Sequence, residues 1–399
     1  MNQPAIVAVA YNRPDALKRL LLSIESAEYG DGVQPVLVIS IDKSDSGDVL
    51  AVADDFKYTH GKKIVMARPE RMGLREHVLS CGDLTGEYGS IIVLEDDLFV
   101  SPRFYSYACA ALDHSEKDER IGAVSLYDHR FNVHAREPFG AIDDGYDNYY
   151  LQIASSWGQA YTKKQWESFR AWYDDNKDRD LKSPMVPENI SGWSDRSWLK
   201  YYIVYLIETQ KYCLYPRVSL TTNFGDEGTH AKKADTDLQV PVAGKGLKAD
   251  YRFSSIDESR AVYDPFFEAL GVVSDGNARL GGYDTGIEGN DTEPLIVDLY
   301  GIKPAAAIAK ASKIRYVLTP ASLPYKVIKS FGRQMRPVDA NIVYNISGND
   351  LHLYDMSIKA DPPAAVPKAH RLLYDYRGIS AARMIEIIKY RILEKLGRS

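Results

Sequence analysis

The first 95 residues alternate short apolar runs with segments in which apolar residues recur at helical spacing. Residues 5–10 read AIVAVA, and residues 90–94 read SIIVL. The predicted elements are strand 5–10, helix 15–26, strand 35–41, helix 46–58, strand 63–67, helix 74–84 and strand 90–94. Buried strands that alternate with helices predict an α/β fold whose mostly parallel sheet is covered on both faces. Ligands of such sheets bind beyond the carboxyl ends of the strands, where functional residues are therefore expected.

The pattern is less regular after residue 95. The predicted elements here are helix 101–114, strand 121–126, an aromatic and acidic loop region 131–150, helices 163–174 and 195–209, and strand 212–222. Residues 244–294 are rich in Gly, Asp and Ser, which is typical of a linker or an ordered loop. We therefore predict an α/β domain over residues 1–240, a loop-rich connection over 241–300 and a basic helical C-terminal region over 301–399.

Charge is distributed unevenly along the chain. The net charge is −6, but residues 301–399 contain 17 Lys and Arg against 7 Asp and Glu. This local excess of +10 leaves −16 on the first 300 residues, and a basic tail on an acidic body indicates contact with an anionic membrane surface. Nucleic acid is the rival partner. Lipid is favoured because the basic residues are interleaved with Ile, Leu and Tyr, so no nucleic-acid partner is expected.

The last predicted helix, residues 379–396, is amphipathic. Its apolar stripe comprises Met384, Ile387, Ile388, Ile392 and Leu396, and Arg383, Lys389, Arg391 and Lys395 lie mostly off that stripe. Such a helix can lie on a membrane or cap the preceding domain.

Cysteine usage and the chain start point to a reducing compartment. Cys81, Cys109 and Cys213 are widely spaced and form no CxxC pair, so neither a disulfide framework nor a zinc site is expected. No signal-peptide pattern precedes residue 11, and no apolar run approaches the length of a spanning helix. We expect a cytoplasmic protein, with the inner face of the cell membrane as its attachment surface.

Three carboxylates follow the apolar run at residues 90–94. Glu95, Asp96 and Asp97 are flanked by Leu94 and Leu98. Adjacent like charges at the edge of a core destabilise the fold unless a cation compensates them. Carboxylates select hard ions, and Mg²⁺ or Mn²⁺ typically binds through one or two carboxylates plus substrate phosphates. Alternation along a continued strand would point Glu95 and Asp97 to one side and Asp96 to the other. An acidic surface turn is the alternative interpretation.

The stretch VLEDDLFVSPRFYSY at residues 93–107, together with the strand–helix pattern, resembles the glycosyltransferase A fold. It is closest to N-acetylglucosaminyltransferase I and its bacterial relatives, and the resemblance covers roughly residues 4–235. It implies a glycosyltransferase A-type (Rossmann-like) catalytic domain over residues 1–240. It also implies that Asp97 is the direct metal ligand, while Asp96 faces the ribose and Glu95 the donor sugar.

Further positions match the family's donor site in order. The segment Ala10-Tyr11-Asn12-Arg13 is similar to the first-strand turn that cradles the nucleotide base, which implies donor-binding roles for Ala10, Asn12 and Arg13. Asp42, at the end of the second strand, matches a base-contacting aspartate and favours UDP. Arg75 lies in the helix that presents a basic residue to the donor.

The segment Gly192-Trp193-Ser194-Asp195-Arg196-Ser197-Trp198 resembles the family's Trp-Asp-Asp-Trp stretch. By this resemblance Asp195 is the catalytic base, which accepts the proton of the acceptor hydroxyl in an inverting single displacement. Trp193 would form part of an aromatic wall against a sugar. The alternative role for Asp195 is the N-cap of the following helix, a common role for aspartate. The two roles can coexist.

Two further segments match the family. Residues 223–230 resemble its Phe-Gly-x-x-Gly-x-x-His loop, which implies a donor contact for His230. A solvated histidine is the alternative, and Asp226 and Glu227 are alternative bases. Trp157 and Gly158 resemble the aromatic-glycine pair of the acceptor site, where glycine lets a sugar approach the backbone. Trp157 could equally be a core residue.

Together these residues predict a metal-dependent glycosyltransferase. The expected cofactor is Mn²⁺ or Mg²⁺, the donor is a nucleotide diphosphate sugar, and the acceptor is a glycan or lipid-linked glycan in bacterial surface polysaccharide synthesis. Nucleotidyl transfer is the first alternative, but it would be expected to show a Gly-rich loop after the first strand, and residues 10–13 contain no glycine. A non-catalytic nucleotide- or sugar-binding scaffold of the same fold is the second, and it would need no base at Asp195.

Overall fold

The computed structural model describes residues 2–226, 238–246, 250–274, 277–280, 283–288, 293–367 and 378–396. The chain divides into two compact units. The N-terminal unit comprises Met1–His134 and Phe139–Leu270, and the C-terminal unit comprises Ala135–Pro138 and Gly271–Ser399.

The N-terminal unit contains helices and strands in alternation, as the sequence predicts. Its strands are β1 (Ala5–Ala10), β2 (Leu37–Ile41), β3 (Lys63–Ala67), β4 (Ser90–Glu95), β5 (Leu98–Val100), β6 (Ile121–Ser125), β7 (Phe131–Asn132), β9 (Asn148–Leu151), β10 (Gln159–Thr162), β11 (Tyr212–Pro216), β12 (Thr221–Asn223) and β13 (Val262–Tyr263). Its helices are α1 (Pro14–Glu25), α2 (Asp48–Asp55), α3 (Leu74–Gly82), α4 (Thr85–Tyr88), α5 (Phe104–Ser115), α6 (Lys163–Asn176), α7 (Glu188–Ser191) and α8 (Trp198–Glu208).

In the described part of this unit the main sheet has nine strands in the order β13-β9-β11-β6-β10-β4-β1-β2-β3. Strand β1 pairs in parallel with β2 and with β4, and β2 pairs in parallel with β3. Most neighbouring strands of the sheet are parallel, which confirms the predicted α/β fold with a mostly parallel sheet. The carboxyl ends of β1, β2 and β4 therefore meet at one edge.

Helix α1 shows how the sequence produces these layers. Pro14 stands at the start of the helix, where its missing N–H is not needed and its fixed φ favours helix. Leu17, Leu20, Leu21 and Ile24 recur at spacings of three and four and are buried in the core beside the sheet. A helical apolar stripe therefore covers an apolar strand face.

Strand β10 was not predicted from the sequence, and it decides which residues lie at the edge where β1, β2 and β4 end. It is antiparallel to both of its neighbours, β4 and β6, and Gln159 pairs with Val93. Because β10 runs opposite to β4, the residues that precede β10 lie beside the carboxyl end of β4. Trp157 and Gly158 are thereby brought to the edge that carries Glu95.

The C-terminal unit contains a mostly antiparallel sheet. Its strands are β8 (Glu137–Pro138), β14 (Gly271–Ser274), β15 (Asn277–Leu280), β16 (Tyr283–Glu288), β17 (Glu293–Val297), β18 (Tyr316–Thr319), β19 (Tyr325–Phe331) and β20 (Leu351–Lys359). Its helices are α9 (Ala305–Ala311), α10 (Ala340–Val343) and α11 (Ala381–Lys395). Among described residues the sheet order is β16-β15-β14-β17-β18-β20-β19.

Two expectations for this half of the chain differ from the structure. Residues 241–300, expected to be a loop-rich connection, contain strands β13 to β17. Residues 301–399, expected to be helical, contain strands β18 to β20 as well as helices. Strands β14 and β15 have only four residues each, GVVS and NARL. Such short strands, interrupted by glycine and polar residues, show no clear alternation of apolar and polar positions.

Two other expectations concern cysteines and membrane spans. Cys81, Cys109 and Cys213 are buried free thiols. In the part of the chain that the structure describes, no helix is both long enough and apolar enough to cross a bilayer.

Gly82, the last residue of α3, offers a test of packing in the N-terminal unit. A Cβ on Gly82 would lie 1.9 Å from Cζ2 of the buried Trp166. We predict that Gly82→Ala lowers the free energy of unfolding by about 1–3 kcal/mol. The added methyl group would overlap the ring of Trp166, so α3 and α6 would have to move apart. Chemical denaturation followed by tryptophan fluorescence measures it, since all five tryptophans lie in the N-terminal unit.

Gly86 in α4 is the matched control. A Cβ there meets nothing within 4 Å, so Gly86→Ala should leave the stability unchanged or raise it by up to about 1 kcal/mol. Equal destabilisation by the two variants would contradict the packing described for Gly82.

Candidate active site

A cleft of about 710 Å³ lies in the N-terminal unit at the edge where β1, β2 and β4 end. It is lined by residues from the loops after all three strands, by the segment before β10 and by the start of α8. The cleft-lining residues that the sequence predicted are Ala10, Asn12, Arg13, Asp42, Glu95, Asp96, Asp97, Trp157 and Trp193. Arg75, Gly158 and Asp195 do not line it, and His230 lies outside the described residues.

Arg13 holds the acidic cluster together. Its guanidinium forms ion pairs with Asp96 and, at 3.1 Å, with Oδ2 of Asp97. Burial lowers the pKa of Arg13, but the charges and hydrogen bonds of the two aspartates outweigh burial and raise it above its ordinary value. The like charges that the sequence places together are thus compensated, in part, from the turn after β1.

The two aspartates do not alternate across a strand as predicted. Strand β4 ends at Glu95, and Asp96 and Asp97 form the turn before β5. Since strand alternation stops where the strand stops, both carboxylates can face the same guanidinium. The expectation that Asp96 points away from Asp97 is therefore wrong.

Glu95 is the last residue of β4 and lies beside the two aspartates in the cleft. Burial, followed by the charges of Asp97 and Asp96, raises its pKa to about 8. The nearby side chain of Trp198 opposes this shift, since it favours the ionised form. Asp96 is also buried, and burial raises its pKa to about 6 against the opposing effect of Arg13.

Asp97 has one oxygen that suits a cation. Its Oδ1 is buried and has no hydrogen-bond partner among the described residues, whereas Oδ2 is bound by Arg13. A buried anionic oxygen left without a partner is costly, and a hard divalent ion is a ligand that would satisfy it. No group of three or more His, Cys, Asp or Glu side chains in the described ranges could hold a metal alone. A metal here would need ligands from a bound molecule, as Mg²⁺ and Mn²⁺ sites with phosphates commonly have.

Asp42 shapes the loop above the cleft. Its Oδ1 accepts hydrogen bonds from the backbone N–H groups of Lys43 at 2.9 Å and Met72 at 2.8 Å, and its Oδ2 accepts one from Gly73 at 2.9 Å. Gly73 has a φ of +80°, a conformation that favours glycine. Both oxygens are thus engaged by backbone, and Asp42 fixes the entry to α3 while also lining the cleft.

The segment that precedes α8 carries Asp195, the predicted base. Its carboxylate is 79% exposed and accepts a hydrogen bond from Nζ of Lys200 at 2.9 Å. This hydrogen bond and the charge of Lys200 lower the pKa of Asp195. Its neighbours Ser194 and Arg196 line the cleft, but Asp195 does not. Its role as base stays a prediction.

The alternative role considered for Asp195, helix capping, is filled by another residue. Ser197 is the N-cap of α8, and its side chain accepts a hydrogen bond from the backbone N–H of Lys200. The cap lies two residues after the predicted position, because the helix begins at Trp198 rather than at residue 195.

Arg75, predicted to contact the donor, is engaged elsewhere. One nitrogen donates to the backbone oxygen of Asp195 at 2.8 Å, and another pairs with Glu76 at 3.1 Å. Arg75 thus ties α3 to the segment before α8, and it does not line the cleft.

Trp157 and Gly158 lie where the sheet meets the cleft. The Trp157 ring packs against Tyr127, with 4.7 Å between ring centroids, while part of the residue lines the cleft. Gly158 has a φ of +96°, and a Cβ there would lie 2.9 Å from Cγ2 of Thr221. Glycine is therefore required at this position by both conformation and space.

The cleft includes residues that the sequence reasoning did not assign to it. They include Arg71, His77, Arg196 and Trp198. Asp226, predicted from the sequence only as an alternative base, also lines the cleft. Arg71 stacks over the ring of Tyr11, with 5.0 Å between its guanidinium carbon and the ring centroid, and Asp226 pairs with Arg19. Arg196 lies within the segment 192–198 that carried a sequence signal, whereas nothing local marked Arg71 as a cleft residue.

His77 is a buried neutral histidine at the base of the cleft. Its Nε2 lies 2.8 Å from Oγ of Ser40, and burial lowers its pKa to about 4. It therefore contributes no positive charge at neutral pH.

His129, behind Trp157, gives the N-terminal unit a pH-sensitive element. It is surrounded by aromatic rings, and neither ring nitrogen has a hydrogen-bond partner within the described ranges. Burial lowers its pKa to about 3. Because the unfolded chain binds a proton more readily than the folded chain, stability falls as the pH drops below the unfolded pKa.

We predict that His129→Phe removes about 2 kcal/mol of the loss in stability that the protein suffers between pH 8 and pH 5. The measurement is denaturation at both pH values, followed by tryptophan fluorescence, for the wild type and the variant. An identical pH dependence of the two proteins would contradict the burial of a neutral His129.

No protein family model matches the chain. The chain is 22% identical over 285 residues to an alpha-1,3-mannosyl-glycoprotein 2-beta-N-acetylglucosaminyltransferase of Arabidopsis thaliana, a match that covers 68% of this chain. The aligned part spans 58% of the length of that relative.

Two solved structures are similar to part of the chain. One is S. aureus TarS, residues 1–349, in complex with UDP-GlcNAc, with a TM-score of 0.36, 13% identity and coverage of 58% of this chain and 61% of that one. The other is the mannosyltransferase PcManGT of Pyrobaculum calidifontis in complex with GDP-Man and Mn²⁺, with a TM-score of 0.29, 14% identity and coverage of 43% and 47%.

The Arabidopsis relative is an N-acetylglucosaminyltransferase, the kind of protein that the residues around Glu95, Asp96 and Asp97 resemble. The predicted resemblance of this chain to glycosyltransferases is thereby confirmed.

Proposed function

We propose that the protein is an inverting, metal-dependent glycosyltransferase that moves a sugar from a nucleotide diphosphate sugar to a glycan acceptor. UDP is the favoured nucleotide, and bacterial surface polysaccharide synthesis, with a glycan or lipid-linked glycan as acceptor, is the proposed setting. The sequence relative supports the reaction class. The observation that carries the proposal is the unpartnered Oδ1 of Asp97, buried in a cleft at the carboxyl ends of parallel strands.

The charges in the cleft suit a diphosphate. Arg13, Arg71 and Arg196 line it together with the carboxylates. Guanidinium groups donate several hydrogen bonds in a planar array and are well matched to phosphate oxygens. Arg71 and Arg196 therefore offer positive charge to a diphosphate, and Asp97 offers an oxygen for a cation.

In this proposal Asp97 is the protein ligand of Mn²⁺ or Mg²⁺, with further ligands from the diphosphate. A bound ion of this kind would neutralise the negative charge that develops on the leaving nucleotide diphosphate. Arg13 keeps Asp97 positioned through its Oδ2, which leaves Oδ1 for the ion. Asp96 and Glu95 lie beside it, where they can accept hydrogen bonds from donor hydroxyls.

Aromatic side chains suit the acceptor. Trp157 and Trp193 both line the cleft, and tryptophan rings offer flat apolar faces with one polar edge. Gly158, next to Trp157, is buried against Thr221 and does not itself line the cleft. We propose that a sugar ring of the acceptor lies in this part of the cleft.

We propose Asp195 as the base, provided that its side chain can leave Lys200. Its pairing with Lys200 lowers its pKa, which makes it a weaker proton acceptor than a carboxylate poised near neutral pH. The role therefore requires the Asp195 side chain to leave Lys200 when the acceptor binds. Asp226 is the alternative base, since it lines the cleft, although it is paired with Arg19.

The first test measures donor binding. UDP at about 100 times its Kd should stabilise the wild type by about 2.7 kcal/mol, and only when Mn²⁺ is present. We predict that Asp97→Asn removes the Mn²⁺-dependent part of this stabilisation, because the amide lacks the anionic charge that binds the ion. Thermal denaturation with UDP, GDP and their sugar conjugates, with and without Mn²⁺, gives the result and identifies the nucleotide.

Asp45→Asn is the matched control. Asp45 is an exposed carboxylate in the loop after β2 and does not line the cleft. This variant should respond as the wild type does. Mn²⁺-dependent stabilisation of Asp97→Asn equal to that of the wild type would contradict the metal assignment.

The second test separates catalysis from binding. We predict that Asp195→Asn leaves donor stabilisation intact and lowers sugar transfer by about 10²- to 10⁴-fold, as expected for a general base. Transfer to a panel of glycan acceptors and hydrolysis of the donor are both measured. Loss of transfer in Asp226→Asn with normal turnover of Asp195→Asn would move the base to Asp226.

A non-catalytic nucleotide- or sugar-binding scaffold is the second candidate function. The observation that favours it is the exposed Asp195 carboxylate paired with Lys200. A protein that is stabilised by the nucleotide sugar but neither transfers nor hydrolyses it would support the scaffold.

A further inference from the structure

Helix α11 carries apolar side chains on its surface. It is Ala381–Lys395, followed by Leu396, and it is about 22 Å long at 1.5 Å per residue. Its large exposed apolar residues are Ile385, Ile387, Ile388, Tyr390, Ile392, Leu393 and Leu396. Ile388 is 52% exposed and Leu396 is 62% exposed. A helix that leaves this much apolar surface in water is expected to have a binding partner.

The exposed residues are arranged on one side. At 100° per residue, Ile385, Ile388, Ile392 and Leu396 fall within an arc of about 80°, and we name these four the apolar stripe. Met384 and Ile387, which the sequence pattern placed in the predicted stripe, lie outside this arc. Tyr390 and Leu393 also lie outside it. The stripe is thus a continuous band from Ile385 to Leu396.

Exposed charges border the stripe. Lys389 lies next to Leu396 on one side of the stripe, and Arg391 lies on the other side. The exposed acidic residue Glu386 lies farther round the helix. Residues 301–399 as a whole carry an excess of +10. The border of the stripe is therefore basic, and so is the region to which the helix belongs.

We propose that α11 binds the surface of a bilayer that contains anionic phospholipids, with the apolar stripe buried at the boundary of headgroups and acyl chains. An amphipathic helix of this kind lies in the interface, and basic residues beside its apolar face contact the anionic headgroups. The helix is too short to span the hydrocarbon core, which needs about 20 apolar residues. The proposal is independent of the reaction proposed for the cleft.

Charge favours lipid over a second copy of the chain. Two copies packed through the stripe would bring two basic borders and two tails of the same sign together, and like charges repel. An anionic membrane supplies both the apolar layer for the stripe and the opposite charge for Lys389 and Arg391.

The experiment is co-sedimentation of the full chain with vesicles of equal parts phosphatidylglycerol and phosphatidylcholine, and with phosphatidylcholine alone. We expect binding to the anionic vesicles that is at least roughly tenfold stronger and that weakens as salt is added. The double variant Ile388→Ser with Ile392→Ser should bind the anionic vesicles at least roughly tenfold more weakly. The double variant Lys389→Gln with Arg391→Gln should lose most of the preference for anionic vesicles.

The matched control is Ile387→Ser with Tyr390→Ser. It removes two apolar side chains of the same helix that are similarly exposed but lie outside the stripe. Binding should stay within about twofold of the wild type, since these residues do not face the bilayer. All of these positions are exposed, so tryptophan fluorescence and the melting temperature should be unchanged in every variant.

Three results would overturn the proposal. The first is equal vesicle binding by the wild type and the stripe variant. The second is equal loss in the stripe variant and the control variant. The third is a wild type that does not bind vesicles but forms a dimer in light scattering, while the stripe variant stays monomeric. The stripe would then be an interface between two copies of the chain.

Discussion

The ion pairs of Arg13 with Asp96 and Asp97 are the interaction on which the cleft depends. Three carboxylates at the end of a buried strand repel one another, and burial raises the pKa of Glu95 to about 8 and that of Asp96 to about 6. Arg13 compensates two of them from the turn after β1. The compensation is incomplete, since Oδ1 of Asp97 has no partner among the described residues. A cation with a diphosphate would complete it.

The sheet brings the other parts of the site to the same edge. Parallel strands β1, β2 and β4 end together, while antiparallel β10 delivers Trp157 from the opposite chain direction. Asp42 then binds the backbone of Met72 and Gly73 and fixes the loop that carries Arg71. One edge of the sheet thus combines carboxylates, guanidinium groups and an aromatic wall.

Much of the N-terminal unit could be predicted from the sequence, because its signals are local. The run AIVAVA is β1 in full, and Leu17, Leu20 and Leu21 of α1 lie on the buried face that their spacing predicted. The apolar run before Glu95, Asp96 and Asp97 predicted that these carboxylates lie at the end of a buried strand, and all three line the cleft. Strand β10 and the C-terminal sheet were missed, since short strands with mixed composition lack a clear period.

The sequence by itself determined the α/β alternation, the strand ends that carry functional groups and the amphipathic helix at the C-terminus. Each of these depends on residues within one or two turns or one strand, where spacing alone sets which face is buried. Only the tertiary structure decided that Arg13 meets Asp96, 83 residues away, that Trp198 meets Glu95, and that Asp195 lies outside the cleft on Lys200. These pairings depend on how the sheet brings distant segments together and on where each helix begins, which no local pattern encodes.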